Sequence, residues 1–305
     1  MSATARPSAE PPFTSDLSCA DFALARGLGV EPIRQVLGAC VYQVGYQSLM
    51  AYETPYSGMP MFGGGDGYVT RLDVITEAWN NARERALSRL RGEAEAVGAQ
   101  AVVGVSLRAV AEHLGEGGGA YAIDYSVIGT AIRHGGRAAA GARRSSPPQV
   151  VLTELSVADY AKLLRAGVEP VGIAAHSVSV FATYGYNTVQ RMRAGGAGAG
   201  AFGIGGECFE LREYSAALYA ARGQVEERMR AAASELGAEG VVGVRLERSF
   251  SRPQLGGQAT GLIVSLHAIG TAVAATAGRT AAAQAAAAQA AVMPTIDLLH
   301  GEGKR

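Results

Sequence analysis

The chain has 305 residues, with 27 lysines plus arginines against 27 aspartates plus glutamates, so no global field draws it to nucleic acid or to an anionic membrane surface. Hydrophobic residues make up 48%, ample for folded cores, and the length gives room for two domains of ordinary size. The three cysteines, Cys19, Cys40 and Cys208, lie far apart and form no CxxC pair, which argues against a disulfide framework or a closed thiolate zinc site and makes the cytoplasm the expected compartment.

Met1 to Pro12 is polar and proline-containing, without the basic start and apolar run of a secretory signal; residues 1–14 are expected to be a disordered leader. Ser18 then precedes Asp21 by three residues, as in a capping box that opens a short helix, and Gly29 sits where such a helix stops. Ile33 to Tyr46 is valine-rich with partial alternation and is expected to be a first strand. The loop at 47–68 carries Tyr52, Tyr56, Met59, Met61, Phe62 and Tyr68, unlike a solvated linker. Such a set either folds back over the sheet or contacts a neighbour or ligand, and packing that includes subunit packing is the favoured reading, with Tyr56 and Phe62 as its interface residues.

The long helix comes next. Ile75, Trp79, Ala82, Ala86, Leu90 and Val97 recur at helical spacing, with Glu84, Arg85 and Arg89 away from the stripe, Arg83 beside it, and Glu93 interrupting it. Gly98 supplies the stop, Ala101 to Leu107 a buried strand, and Tyr121 to Ile132 a last strand.

The same order then returns. Leu17-Ser-Cys-Ala-Asp-Phe-Ala reappears from Leu155 as Leu-Ser-Val-Ala-Asp-Tyr-Ala, Gly98-Ala-Gln-Ala-Val-Val-Gly-Val-Ser-Leu107 as Gly237-Ala-Glu-Gly-Val-Val-Gly-Val-Arg-Leu246, and Ile128-Gly-Thr-Ala131 as Ile269-Gly-Thr-Ala272. Three blocks in one order define a tandem repeat. Module 1 spans 15–134, a Gly/Pro-containing linker 135–150, module 2 151–273, and an alanine-rich segment with a C-terminal tail 274–305. In module 2 the first strand is Val171 to Tyr184, and the helical stripe is Tyr214, Leu218, Ala221, Val225, Met229, Ala232 and Leu236. The longest apolar stretch, Gly261 to Thr276, is broken by Ser265 and His267 and falls short of the roughly 18 to 20 residues of a membrane helix, so no span is expected.

Each module is therefore expected to be α+β: a leading short helix, then β-α-β-β, with the long helix packed on a small, mostly antiparallel sheet. Three strands leave edges and an apolar surface poorly covered, which favours association into a homo-oligomer.

Ala82-Arg83, Ala86, Ala94, Gly98-Ala99, Val102-Val-Gly-Val105 and Gly129-Thr-Ala131 resemble the YbjQ-like family, labelled "putative heavy-metal-binding domain". The pattern returns in Ala221-Arg222, Val225, Ala233, Gly237-Ala238, Val241-Val-Gly-Val244 and Gly270-Thr-Ala-Val273. The resemblance implies a dodecin-like β-α-β-β subunit that assembles into a ring, a pentamer in single-domain relatives. With two modules per chain, either five chains form two stacked rings or the two halves alternate around one ring. The resemblance brings no established catalytic residues.

A transition-metal site needs several ligands converging on one point. Cys40 falls opposite Val178, His176 opposite Gly38 and His267 opposite Ser126, so no ligand type is repeated. No cofactor is expected; a divalent heavy metal would draw on Cys40 and His176 across a module interface. Gly198-x-Gly200-x-x-Gly203 matches the dinucleotide fingerprint by letter but is embedded in the run Ala194 to Gly206, and is read as a flexible loop. Arg83 and Arg222, repeated motif residues beside the stripe, suit an ion pair at a subunit boundary, with Trp79 on the same helix. No catalytic set can be assembled from matched positions, so the chain is not expected to be an enzyme. The expected function is a non-catalytic oligomeric scaffold or interaction protein, with loops 47–68 and 185–209 and the C-terminal tail as surfaces for protein partners. The alternative is a metal- or small-ligand-binding protein using an inter-module or inter-subunit cleft.

Overall fold

The computed structural model describes residues 14–45, 69–114, 120–134, 149–197, 208–251 and 261–275. Among these the chain runs α1 (Cys19–Gly27), β1 (Val30–Gly45), β2 (Val69–Arg71), α2 (Asp73–Ala96), β3 (Ala101–Leu114), β4 (Ala120–His134), β5 (Val151–Leu152), α3 (Val157–Ala166), β6 (Val168–Thr183), α4 (Tyr186–Ala197), α5 (Arg212–Glu235), β7 (Gly240–Ser251) and β8 (Gly261–Ala275). This is a mixed α and β architecture in which the second half repeats the first.

Local chemistry explains the repeated blocks. Ser18 Oγ accepts from Asp21 N–H, and Ser156 Oγ from Asp159 N–H, capping α1 and α3. Gly167 closes α3 at φ 76°, a left-handed turn that glycine enters without a Cβ penalty. The Val-Val-Gly-Val motif builds a bulge. Val103 faces Thr130 and Ser106 faces Ile128, so β3 carries one extra residue, and Gly104 takes it up at φ 63°. Val242, Arg245 and Gly243 repeat this against β8, Gly243 at φ 67°. The threonine of Gly-Thr-Ala holds the leading segment: Asp16 N–H donates to Thr130 Oγ1 at 3.1 Å, and Glu154 N–H to Thr271 Oγ1 at 3.3 Å.

The first strands begin at Val30 and Val168, earlier than the valine pattern suggests, because the prolines are taken in at register shifts, Pro32/Arg34 and Pro170/Gly172. The long helices bury Ile75, Trp79, Ala82, Arg83, Ala86, Leu90 and Ala94 in module 1, and Ala217, Ala221, Val225, Met229 and Ala233 in module 2. The stripe thus continues through Ala94 and Ala233 rather than through Glu93 and Ala232, and Val97 and Leu236 are the C-caps. Glu93 instead reaches the strand below: it pairs with Arg34 at 2.8 Å and accepts from Leu37 N–H at 2.7 Å. Helix α2 lies so close to β1 that a Cβ on Gly38 would stand 2.0 Å from Ala86 O.

Among the described residues each sheet has four strands, not three, because each borrows one from the other module. The orders are β1-β4-β3-β5 and β2-β6-β8-β7. Strand β5, at the start of module 2, runs parallel to β3; β2, in module 1, runs antiparallel to β6. The stretch 185–209, expected as a loop, carries α4. Among the described residues no helix is long and apolar enough to cross a membrane.

Candidate functional site

The two modules meet along a seam that closes the outer edge of β6. Strand β2 pairs Val69, Thr70 and Arg71 with Ala182, Phe181 and Val180. Below it, α2 takes over with side chains. Leu72 N–H donates to Ser179 O at 2.9 Å, and Thr76 Oγ1 accepts from Ser179 N–H at 2.9 Å. Asn80 Oδ1 accepts from Ser177 N–H at 3.0 Å while its Nδ2 donates to Ser177 O at 2.9 Å. Thr76, Asn80 and Arg83 share one helical face by spacing. A helix thus satisfies the strand edge that would otherwise be a row of unpaired polar groups.

Behind this row is a buried polar cluster. Arg83 Nη1 donates to Asn80 Oδ1. Trp79 meets His267 edge-on with ring centroids 4.4 Å apart and Tyr125 at 6.4 Å. His267 Nδ1 and Ser177 Oγ are 2.9 Å apart, and Ser179 Oγ and Ser265 Oγ 2.7 Å. Phe181 and Ile263 of module 2 join the core of module 1. Burial pushes His267 down to about 4, helped by the Arg83 charge, and His176 to about 4 through burial and the charges of Arg83, Arg228 and Arg71. Tyr125 is pushed up to about 12 by burial, against the opposing pull of Arg83. Burial likewise holds Arg83 below the usual guanidinium value.

On the other side, the β3 bulge turns its N–H groups toward module 2: Gly104 donates to Leu155 O at 2.9 Å and Val105 to Thr153 O at 3.0 Å. Helix α3 covers the back of β3, with Val157 and Tyr160 joining Ala25, Val30, Ala101, Val103 and Ile132 in a small core. His134 Nε2 and Tyr160 OH lie 2.9 Å apart with their rings stacked.

The sequence-derived site residues fare differently. Arg83 and Trp79 are both at the seam, and both are buried there. Arg222, its repeat, is exposed and pairs with Glu226 at 2.7 Å. Cys40 is buried in the module 1 core, among Val36, Val44 and Leu90. His176 stands beside Arg83, an unfavourable neighbour for a cation, and among the described residues no three His, Cys, Asp or Glu side chains are grouped to hold a metal. Tyr56, Phe62, the glycine fingerprint and the C-terminal tail lie outside the described residues. Sequence reasoning missed Asn80, Thr76 and the serines of β6; the alternation Ser177, Ser179 on a valine-rich strand was their signal.

Comparison with known proteins yields two findings. A family model, YbjQ, described as "putative heavy-metal-binding", matches residues 33–134 and again 189–276. The second match begins inside α4, and β6 supplies the first strand that it omits. A protein of Mycobacterium tuberculosis described as "Encapsulin nanocompartment protein Rv1762c" is 36% identical over 237 residues, which is 77% of this chain and 78% of that protein.

Proposed function

The chain belongs to the YbjQ-like family through both of its modules, and from that premise we propose that it is a non-catalytic, cytoplasmic scaffold protein that works as a homo-oligomer of dodecin-like modules. The observation that carries this reading is the seam itself. The chain joins its own modules by completing one module's sheet edge with strand and helix of the next, an association mode that other copies can repeat. The relative described as an encapsulin nanocompartment protein supports the same direction: by that likeness this chain serves as a component of a protein nanocompartment, with loops 47–68 and 185–209 and the C-terminal tail offered to protein partners.

A metal at the inter-module cleft is the less favoured reading. The histidines there are neutral at pH 7, but Arg83 stands beside both, and His267 Nδ1 is already engaged by Ser177. Native mass spectrometry of the full chain tests the proposal. A mass at twice 31.3 kDa or a higher whole multiple supports it, and a single-chain mass at micromolar concentration overturns it.

A further inference from the structure

Because the modules share one fold, differences in exposure between matched residues report what covers each. On β1 Leu37, Ala39 and Val41 are exposed, Val41 by 72%; their counterparts on β6, Ala175, Ser177 and Ser179, are buried under module 1, Ser179 to 0%. On β4 Asp124 is exposed and Ser126 half-buried, where Ser265 and His267 of β8 are buried. The opposite face shows the converse. Val105 is 0% exposed beside Thr153, whereas Val244 is 48% exposed; Arg83 is 6% exposed at its side chain and Arg222 57%. Tyr219, at the position of Asn80, and Leu246 and Phe250 on β7 are exposed too. Among the described residues, module 1 has no neighbour where module 2 has one, and module 2 has none where module 1 has one. The chain holds one complete seam and, at its two ends, the two complementary halves of another.

We infer that a second copy of this chain binds head to tail, its module 1 presenting the outer β1 edge to the Cys208–Leu211 stretch, the Tyr219 face of α5 and the β7 edge of the first copy. The seam within the chain sets the register. Val69 faces Ala182 and Thr70 faces Phe181, so Cys208 falls opposite Val44 and Phe209 opposite Gln43. On β1, Leu37 N–H is closed by Glu93 and Ala39 O accepts from Arg89, which among the described residues leaves Tyr42 to Val44 as the open edge, the three positions that β2 pairs on β6 at Val180 to Ala182. On β7, the bulge N–H groups of Gly243 and Val244 have no backbone acceptor among the described residues; the repeat gives them the carbonyls of Leu17 and Ser15 of the second copy. The area on offer is apolar at Leu37, Val41, Val244, Leu246 and Phe250, as an interface centre requires. The contact is heterologous, so propagation stops only by closing a ring. Such a ring holds whole chains, hence an even number of alternating modules, and a single ring of five is ruled out.

This inference rests on the oligomeric reading above, and its test separates the two. Gln43→Cys and Phe209→Cys are each made in a Cys19→Ser, Cys208→Ser background, co-expressed and oxidised. Directly opposed residues of an antiparallel pair have Cα atoms about 4.5–5.5 Å apart, within disulfide reach. A two-chain species is expected from the co-expressed pair and from neither variant alone. Val41→Asp, which the isolated chain tolerates at an exposed site, is expected to lower the native mass to 31.3 kDa with unchanged circular dichroism. A wild-type assembly whose mass survives Val41→Asp, with no cross-link in the mixed pair, overturns the head-to-tail contact and leaves the oligomer standing. Cross-links in one variant alone overturn it as well, because they mean like pairing with like. A wild-type mass of one chain overturns both.

Discussion

The side-chain amide of Asn80 and the backbone of Ser177 are joined by two hydrogen bonds, 3.0 Å from Ser177 N–H to Oδ1 and 2.9 Å from Nδ2 to Ser177 O. The amide has the donor and acceptor of a peptide group, so it extends the β2 pairing by side chain where the main chain has turned into helix. Asn80→Leu removes both partners while Ser177 stays buried. A buried polar group left unpaired costs about 1–3 kcal/mol, so a loss of about 2 kcal/mol in urea unfolding is expected. Asn80→Asp keeps the acceptor toward Ser177 N–H and Arg83 and is expected to cost less. Equal losses in the two variants would mean that the bonds to Ser177 are not what the amide contributes.

How much of this was legible in the sequence follows from the range of the interactions. Ser18 with Asp21, the Gly104 bulge and the α2 stripe are local, and residue type at fixed spacing announces them. The seam is not local: Asn80 and Ser177 are 97 residues apart, and β2 is three residues long, too short to show a period. Arg83 and Arg222 are identical letters at matched positions, yet one is buried and the other exposed. A repeat predicts equal folds, but only the neighbour decides the environment, and among the described residues none covers Arg222. The metal label of the family likewise draws attention to Cys40 and His176, and no periodicity could tell that Cys40 faces the core and His176 an arginine.

Stability is expected to fall on acidification through the window set by the seam histidines. His267 and His176 titrate near 4 when folded, against an ordinary value of 6.5. Between these values the unfolded chain binds protons that the folded chain does not, so the stabilisation is complete above about pH 6.5 and is lost progressively toward pH 4. His267→Gln is expected to flatten the dependence, because it removes one of the two groups. Arg83→Leu is expected to raise the folded-state value of His267, measured by NMR titration, since the Arg83 charge helps to hold it down. A urea midpoint that does not move between pH 7 and 4.5 would show that both rings stay in reach of solvent.

Two glycines of module 1 are expected to respond differently to the same change. Gly104 sits at φ 63° with no atom within 4 Å of an added Cβ, so Gly104→Ala meets only backbone strain, about 1 kcal/mol. Gly38→Ala places its Cβ 2.0 Å from the carbonyl oxygen of Ala86, and α2 must lift off β1. Overpacking of this kind costs about 1–3 kcal/mol and occasionally more; against main-chain atoms the upper end is expected, about 3 kcal/mol. Comparing the two thermal unfolding midpoints checks the order, and Gly104→Ala as the worse of the pair would contradict the close approach of helix to strand.

The three cysteines supply a reading of both core and edge. Cys40 is buried, while Cys19 and Cys208 are exposed in the single chain. A thiol reacts only where reagent reaches it, so Cys40 is expected to stay unmodified by an aromatic disulfide reagent until the protein unfolds. In the assembled protein Cys208, placed opposite Val44 of the second copy, is expected to react at least tenfold more slowly than Cys19, and the protection is expected to vanish in Val41→Asp. Were Cys208 as fast as Cys19 in material of oligomeric mass, the β1 edge would be open and the copies joined elsewhere. Fast reaction of Cys40 would be a different failure, since it would place that side chain outside the layer between α2 and β1 and remove the packing on which the module 1 core depends.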